Sequence, residues 1–175
     1  MQHVFWLVTD VLCGRPGPNY QPWDPVQLHA GGIRGILSVN GGDSVYADEL
    51  AAADIDHICL PLSPNAPPLA GDLDHCIAQL PRAYDWVCAQ SGAVLVHCRH
   101  GKDRTGLFMA YYLMRQGHTP QQAIERVRAV RPIAFSAEGW LSFAASVLAS
   151  AAQADHNGSQ GGEAADGSER ILEPR

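Results

Sequence analysis

Apolar residues gather first in short runs of strand length and later at helical steps. Residues 4–8 (Val-Phe-Trp-Leu-Val) read as a first strand, followed by the turn cluster Gly14-Arg15-Pro16-Gly17-Pro18. Residues 35–39 form a second strand ended by Asn40-Gly41-Gly42, and residues 55–60 a third, stopped by the four prolines between 61 and 68. Leu73, Ile77, Leu80, Tyr84 and Val87 then recur at three- and four-residue steps, which predicts an amphipathic helix with a local kink at Pro81. The continuous apolar run 93–97 is of the kind buried on both faces of a parallel sheet. Helices are predicted over 105–116, ending at Gly117, and over 120–130, where Thr119 is an N-cap with Pro120 in the first helical position. Ser136 caps a last helix to about residue 152. Strands alternating with helices, then helices alone, predict an α/β fold: a three-layer sandwich with a central, largely parallel sheet flanked by helices. No internal repeat is present.

A chain of 175 residues with 46% hydrophobic content buries one core, so one domain is expected. From about residue 155 the sequence turns to Gly, Ser, Gln and acidic residues, which predicts a folded domain over 1–153 and a disordered acidic tail over 154–175. Lys+Arg 12 against Asp+Glu 18 gives a net charge of -6, which argues against nucleic acid or an anionic membrane as a partner held by bulk electrostatics. Eleven of those cations are arginine, so the position of the one lysine, Lys102, carries information. The five cysteines (Cys13, Cys59, Cys76, Cys88, Cys98) are odd in number and contain no C-x-x-C pair, and they read mainly as buried thiols rather than a disulfide scaffold. The first apolar run has no basic flank, and no segment approaches a membrane-spanning length. A monomer in a reducing, cytoplasmic compartment without a stable membrane anchor is expected, and alanine-rich, lysine-poor usage points to a GC-rich bacterial genome.

The informative stretch is 94–106, Val-Leu-Val-His-Cys-Arg-His-Gly-Lys-Asp-Arg-Thr-Gly. A buried strand runs into a tight loop and then a helix N-terminus, where successive backbone N–H groups converge on an anion. Cys98 opens the loop, and these amides favour its thiolate, lowering its pKa below the free value of about 8.5 and making it a nucleophile. Arg104 presents a planar fork to two oxygens of one phosphate. Arg99, His100, Gly101, Lys102, Asp103 and Arg104 are the phosphate-binding candidates, with Gly101 and Gly106 giving room for close approach. Thr105 brings a hydroxyl toward the sulfur, and His97 orients the loop through its ring N–H. A nucleotide P-loop would need Ser or Thr after Gly101-Lys102, where Asp103 stands. A zinc site on His97, Cys98 and His100 is disfavoured because adjacent strand residues point to opposite faces.

The pattern His97-Cys98-x5-Arg104-Thr105-Gly106 resembles the signature of the cysteine-dependent protein tyrosine phosphatases, in their compact dual-specificity branch. The resemblance extends to residues 32–39, Leu60-Pro61 and Arg128-x2-Arg131-Pro132. It implies a dual-specificity phosphatase-like fold and a phosphocysteine mechanism needing no metal and no cofactor. One departure concerns the general acid. The family places an Asp just after the strand ending here at Leu60-Pro61, yet the first carboxylates that follow are Asp72 and Asp74. Either of these reaches in from the head of the next helix, or Asp103 protonates the leaving group, as proposed for family loops reading Gly-Lys-Asp-Arg-Thr, or water serves. The expected substrate is a phosphorylated protein, above all phosphotyrosine. A phosphoinositide or other polyphosphate is the alternative, since Arg99 and Lys102 resemble the lipid-phosphatase version of the loop.

Two other classes compete: a phospho-binding pseudophosphatase, motivated by the missing loop aspartate, and a cysteine redox or transferase enzyme acting on arsenate or sulfur. Trp86 and Trp140 fall on helical patterns and read as core, whereas Trp23 is the rim candidate, with Tyr20 nearby. Arg131 either lines the pocket or caps a helix as a C-terminal cation. Cys13 and Cys59 read as inert buried thiols in preference to disulfide partners of Cys98.

Overall fold

The computed structural model describes residues 1–42 and 45–160, with side chains through residue 154. Strands β1 (Phe5–Val8), β2 (Leu12–Pro16), β3 (Ile33–Ser38), β4 (Asp56–Cys59) and β5 (Ala93–Cys98) form one sheet in the order β1-β2-β5-β3-β4. Only the β1–β2 hairpin pair is antiparallel; β2–β5, β5–β3 and β3–β4 are parallel. The central strand β5 is buried at all six positions, as its unbroken apolar run requires. Its C-terminal end, like those of β2 and β3 on either side, opens onto the edge of the sheet where ligands bind in parallel α/β folds.

The helices are α1 (Pro25–Ala30), α2 (Ala47–Ala52), α3 (Asp72–Cys88), α4 (Asp103–Arg115), α5 (Pro120–Val130) and α6 (Trp140–Gln160). The short α1 and α2 place Leu28 and Leu50 against Ile33, Ile36, Ala93 and Leu95 on one face of the sheet. The other face carries the larger core, in which α3 to α6 pack against β2, β3 and β5. Residues 107–113 of α4 are all buried, so this helix is apolar on every side and is fixed at the centre of its layer. That rigidity is passed to its N-terminus, where the candidate site lies.

Several boundaries differ from the sequence-based expectation for identifiable reasons. The turn cluster at Gly14-Arg15-Pro16 is part of β2, a strand buried at all five positions. At Gly14 an added Cβ would lie 2.5 Å from the ring of Phe5, which would have to shift to admit it. Asp24 caps α1 through its Oδ1, which accepts from Val26 N, with Pro25 following. Ser136 does not cap the last helix; α6 starts at Trp140, after Gly139 at φ 74°. The alanine-rich segment carries α6 through Gln160, past the point where the composition changes. The remainder of the expected tail, 161–175, lies outside the described residues. Pro81 sits inside α3, which remains one helix. No helix among the described residues is long and apolar enough to cross a membrane.

Candidate active site

Cys98 ends β5 and Asp103 begins α4, so four residues turn the chain between strand and helix. The carbonyls of residues 97–101 are all engaged, four of them by groups from elsewhere in the fold. His97 O accepts from Val39 N (2.9 Å) and Arg99 O from Gly17 N (3.0 Å). Cys98 O is bonded by His97 Nδ1 (3.0 Å), and the guanidinium of Arg131 donates from Nε to Gly101 O (3.0 Å) and from Nη2 to His100 O (2.8 Å). The backbone N–H groups of residues 99–104 make no hydrogen bond to another described residue. Because N–H and C=O point in opposite directions across a trans peptide, carbonyls held outward turn the amides inward. The first turn of α4 adds its own free N–H groups and the positive end of its dipole.

Around this ring the expected side chains assemble. Cys98 is 3% exposed, and Thr105 Oγ1 donates to its Sγ at 3.2 Å. Arg104, half-buried in the first turn of α4, makes no hydrogen bond or ion pair with any described residue, so its fork is free for an anion. Gly101 adopts φ 61°, and an added Cβ would lie 2.5 Å from the backbone carbon of Arg15, so only glycine fits this corner. Lys102 Nζ donates to Ser136 Oγ at 3.0 Å and lies 3.4 Å from Asp103 Oδ2, while Arg99 and His100 are exposed at the mouth. Beside the loop is a recess of about 360 Å³ lined by Tyr20, His100, Lys102, Arg131, Ile133 and Ser136.

The carboxylates separate clearly. Asp103 is 9% exposed and lies within the loop, with Oδ1 accepting from Ala137 N at 3.3 Å. Asp72 instead organises the proline-rich segment: its Oδ2 accepts from Ser63 Oγ (2.7 Å), Asn65 Nδ2 (3.0 Å) and Leu69 N (2.6 Å). These donors, Asn65 foremost, hold its pKa below the ordinary Asp value, the reverse of what a proton donor needs. Asp74 is exposed on α3. The segment itself is tied down, since Trp140 Nε1 donates to Asn65 O at 2.8 Å.

Trp23 is not at the rim. Its ring meets the edge of His97 at 5.0 Å, behind the loop, and lies 5.4 Å from the guanidinium carbon of the buried Arg15. Trp140 is core, as expected, at 2% exposure. Tyr20 does stand at the mouth, its ring 4.7 Å from His100. The clamp formed by Arg131 is the residue role that sequence reasoning left open. None of the five cysteines is in a disulfide, and burial pushes the Cys13 thiol up to about 12, which keeps it inert. No cluster of metal-ligating side chains occurs among the described residues.

The family described as Swiss Army Knife protein, DSP-PTPase phosphatase domain, matches residues 2–153. The chain belongs to this family. As a DSP-PTPase domain it is 28% identical over 119 residues to human dual specificity protein phosphatase 12, covering 67% of this chain and 34% of that protein. It is 42% identical over 53 residues to dual specificity protein phosphatase 1 of Arabidopsis thaliana, covering 30% of this chain and 27% of that protein. The chain thus spans about a third or less of the length of these curated relatives. In fold it resembles human DUSP28, with TM-score 0.62 and 19% identity over 86% of this chain and 95% of that one. It also resembles PTPMT1 in complex with PI(5)P, with TM-score 0.60 and 16% identity over 88% of this chain and 99% of that one.

Proposed function

We propose that this DSP-PTPase domain hydrolyses phosphomonoesters through a phosphocysteine intermediate, with phosphotyrosine and other phosphorylated protein side chains as substrates. The observation that carries this reading is the ring of inward-facing amides around Cys98, with the unpartnered fork of Arg104 beside it. In this mechanism the Cys98 thiolate attacks phosphorus in line with the ester oxygen. The S–P bond forms as the P–O bond breaks, and Asp103 gives its proton to the leaving oxygen. Water then attacks the phosphocysteine while Asp103 takes up a proton, and the S–P bond breaks to return thiolate and inorganic phosphate. Arg104 and the loop amides stabilise the equatorial oxygens as charge shifts in the transition state. Thr105 supports the sulfur both as nucleophile and as leaving group.

Asp103 is preferred as the acid because it lies in the loop, whereas Asp72 is occupied by three donors. A phosphoinositide reading rests on the cations at the mouth and on the similarity in fold to PTPMT1, whose structure is in complex with PI(5)P. The tie from Lys102 to Ser136 weighs against it, since that ammonium is already engaged. Cysteines without disulfides support a cytoplasmic setting, and the alanine-rich, lysine-poor composition a bacterial one. The test is phosphate release from a phosphotyrosyl peptide and a phosphoinositide side by side, with Cys98→Ser as the blank. Faster peptide turnover is expected. Faster lipid turnover would overturn the substrate class, and binding without turnover would make the domain a phospho-binding module.

A further inference from the structure

A buried polar chain runs from the sheet edge to the back of the loop. His57 Nε2 on β4 lies 2.9 Å from Ser38 Oγ on β3, Ser38 Oγ lies 2.6 Å from His97 Nε2 on β5, and His97 Nδ1 lies 3.0 Å from Cys98 O. Ser38 and His97 are 0% and 1% exposed, and His57 is half-buried. Burial foremost, opposed by the hydrogen bond to Cys98 O and reinforced by His57 on β4, Arg15 on β2 and Arg104 on α4, lowers the His97 pKa to about 4, so its ring is neutral at physiological pH.

The direction of each bond follows from counting protons. A carbonyl only accepts, so His97 Nδ1 carries the ring proton and donates to Cys98 O. His97 Nε2 is then a lone pair and takes the hydroxyl proton of Ser38. That hydroxyl has no second proton, so toward His57 it can only accept, and His57 Nε2 must carry a hydrogen. If His57 instead presented a lone pair, Ser38 would turn its proton away from His97. The neutral ring would then hold one bond at the expense of the other. The two-bond orientation of His97, and with it the outward pull on Cys98 O, is therefore compatible with a donor at position 57 and not with an acceptor, and the donor also holds the Ser38 hydroxyl in place.

We propose that His57 is a positioning residue for the reaction at Cys98, acting as the terminal donor of the chain His57 to Ser38 to His97 to the Cys98 carbonyl. Fixing that carbonyl fixes the Cys98–Arg99 peptide plane, and so aims the Arg99 N–H into the cradle. The kinetic consequence rests on the phosphatase reading, whereas the arrangement of protons does not.

Two measurements keep these apart. Nitrogen-15 spectra of the wild-type imidazoles should show His97 protonated at Nδ1 and His57 protonated at Nε2. Kinetics with p-nitrophenyl phosphate should show kcat lowered about tenfold in His57→Leu, with KM little changed. Ser38→Ala should lose about as much, the double variant no more than either, and His57→Gln, which keeps an N–H donor, should recover most of the rate. Urea unfolding of each variant confirms that folded proteins are compared. Protonation of His97 at Nε2 would overturn the proposal. So would additive losses in the double variant, an unimpaired His57→Leu, or a His57→Gln no better than His57→Leu. If the wild-type protein releases no phosphate, the phosphatase reading fails, while the spectra still decide the arrangement of the chain.

Discussion

Replacing Gly101 with alanine tests how tightly the phosphate cradle is wedged against the sheet. The new Cβ would sit 2.5 Å from Arg15 C, 2.6 Å from Arg15 O and 2.8 Å from Pro16 N, all of them backbone atoms of a buried strand. Restoring a carbon separation of about 3.5 Å requires a displacement of about 1 Å. Since β2 is held between two neighbours, the loop must supply it. Overpacking of this kind costs about 1–3 kcal/mol, and alanine at φ 61° adds about 1–2 kcal/mol. The sum leaves a domain of ordinary stability folded. A 1 Å misplacement of the amides is expected to lower kcat/KM on the order of 100-fold. Gly117→Ala is the matched control: its φ is 99° but nothing lies within 4 Å of the added Cβ, so it should lose stability without losing activity. Urea unfolding and turnover of an aryl phosphate, measured on both variants, separate the two costs. A Gly101→Ala enzyme within threefold of wild type would refute the wedge.

Three further outcomes are expected. Arg131→Met removes both bonds to the His100 and Gly101 carbonyls and should lower kcat/KM on the order of 100-fold; Arg131→Lys should restore little, because an ammonium cannot reproduce the planar fork. Asp103→Asn should slow an alkyl phosphate far more than an aryl phosphate with an acidic leaving group, and equal small losses on both would remove Asp103 as the acid. Stability should fall on acidification: His97 has a folded pKa of about 4 against 6.5, so the unfolded state binds more protons between these values. Roughly 3 kcal/mol should be lost from pH 7 to pH 4 through this residue, with Asp72 adding a loss at lower pH because its pKa is also depressed. Urea titrations should show a flatter profile in His97→Asn, and an unchanged slope would refute the assignment.

The parts of this molecule legible in sequence are those whose information is local. The candidate cradle is one continuous stretch from Val94 to Gly106, so its proposed nucleophile, arginine and hydroxyl are readable from spacing alone. The helix over Pro120–Val130 announces itself through Thr119 and Pro120, and the structure adds the reciprocal bond from Gln122 that completes a capping box. What stayed hidden depends on residues distant in the chain. Strand β2 reads Leu-Cys-Gly-Arg-Pro, in which Gly14 and Pro16 favour turns, and becomes a strand because β1 and β5 pair with it on either side. Arg131 gives no sign from its own surroundings that its fork closes on carbonyls 30 and 31 residues earlier. Ser38 and His57 meet His97 only because β3 lies between β4 and β5. Trp23 reads as a rim residue from its flanking prolines, but the ring turns inward against His97.

The anchored segment around Asn65 bears on the rhythm of catalysis. Trp140 holds its carbonyl, Asp72 gathers three of its donors, and Pro67 and Pro68 lie 3.2 Å from where a Cβ on Gly139 would stand. Enzymes that fold a flap over each substrate must reopen it before product leaves, and that step often limits the rate. Here the wall is already built, so turnover would follow bond making and encounter rather than reopening, and would respond little to solvent viscosity. On the proposed phosphatase reading the exchange would be water exclusion for reach: a fixed mouth would admit a phosphate carried on a large, folded surface without having to enclose it.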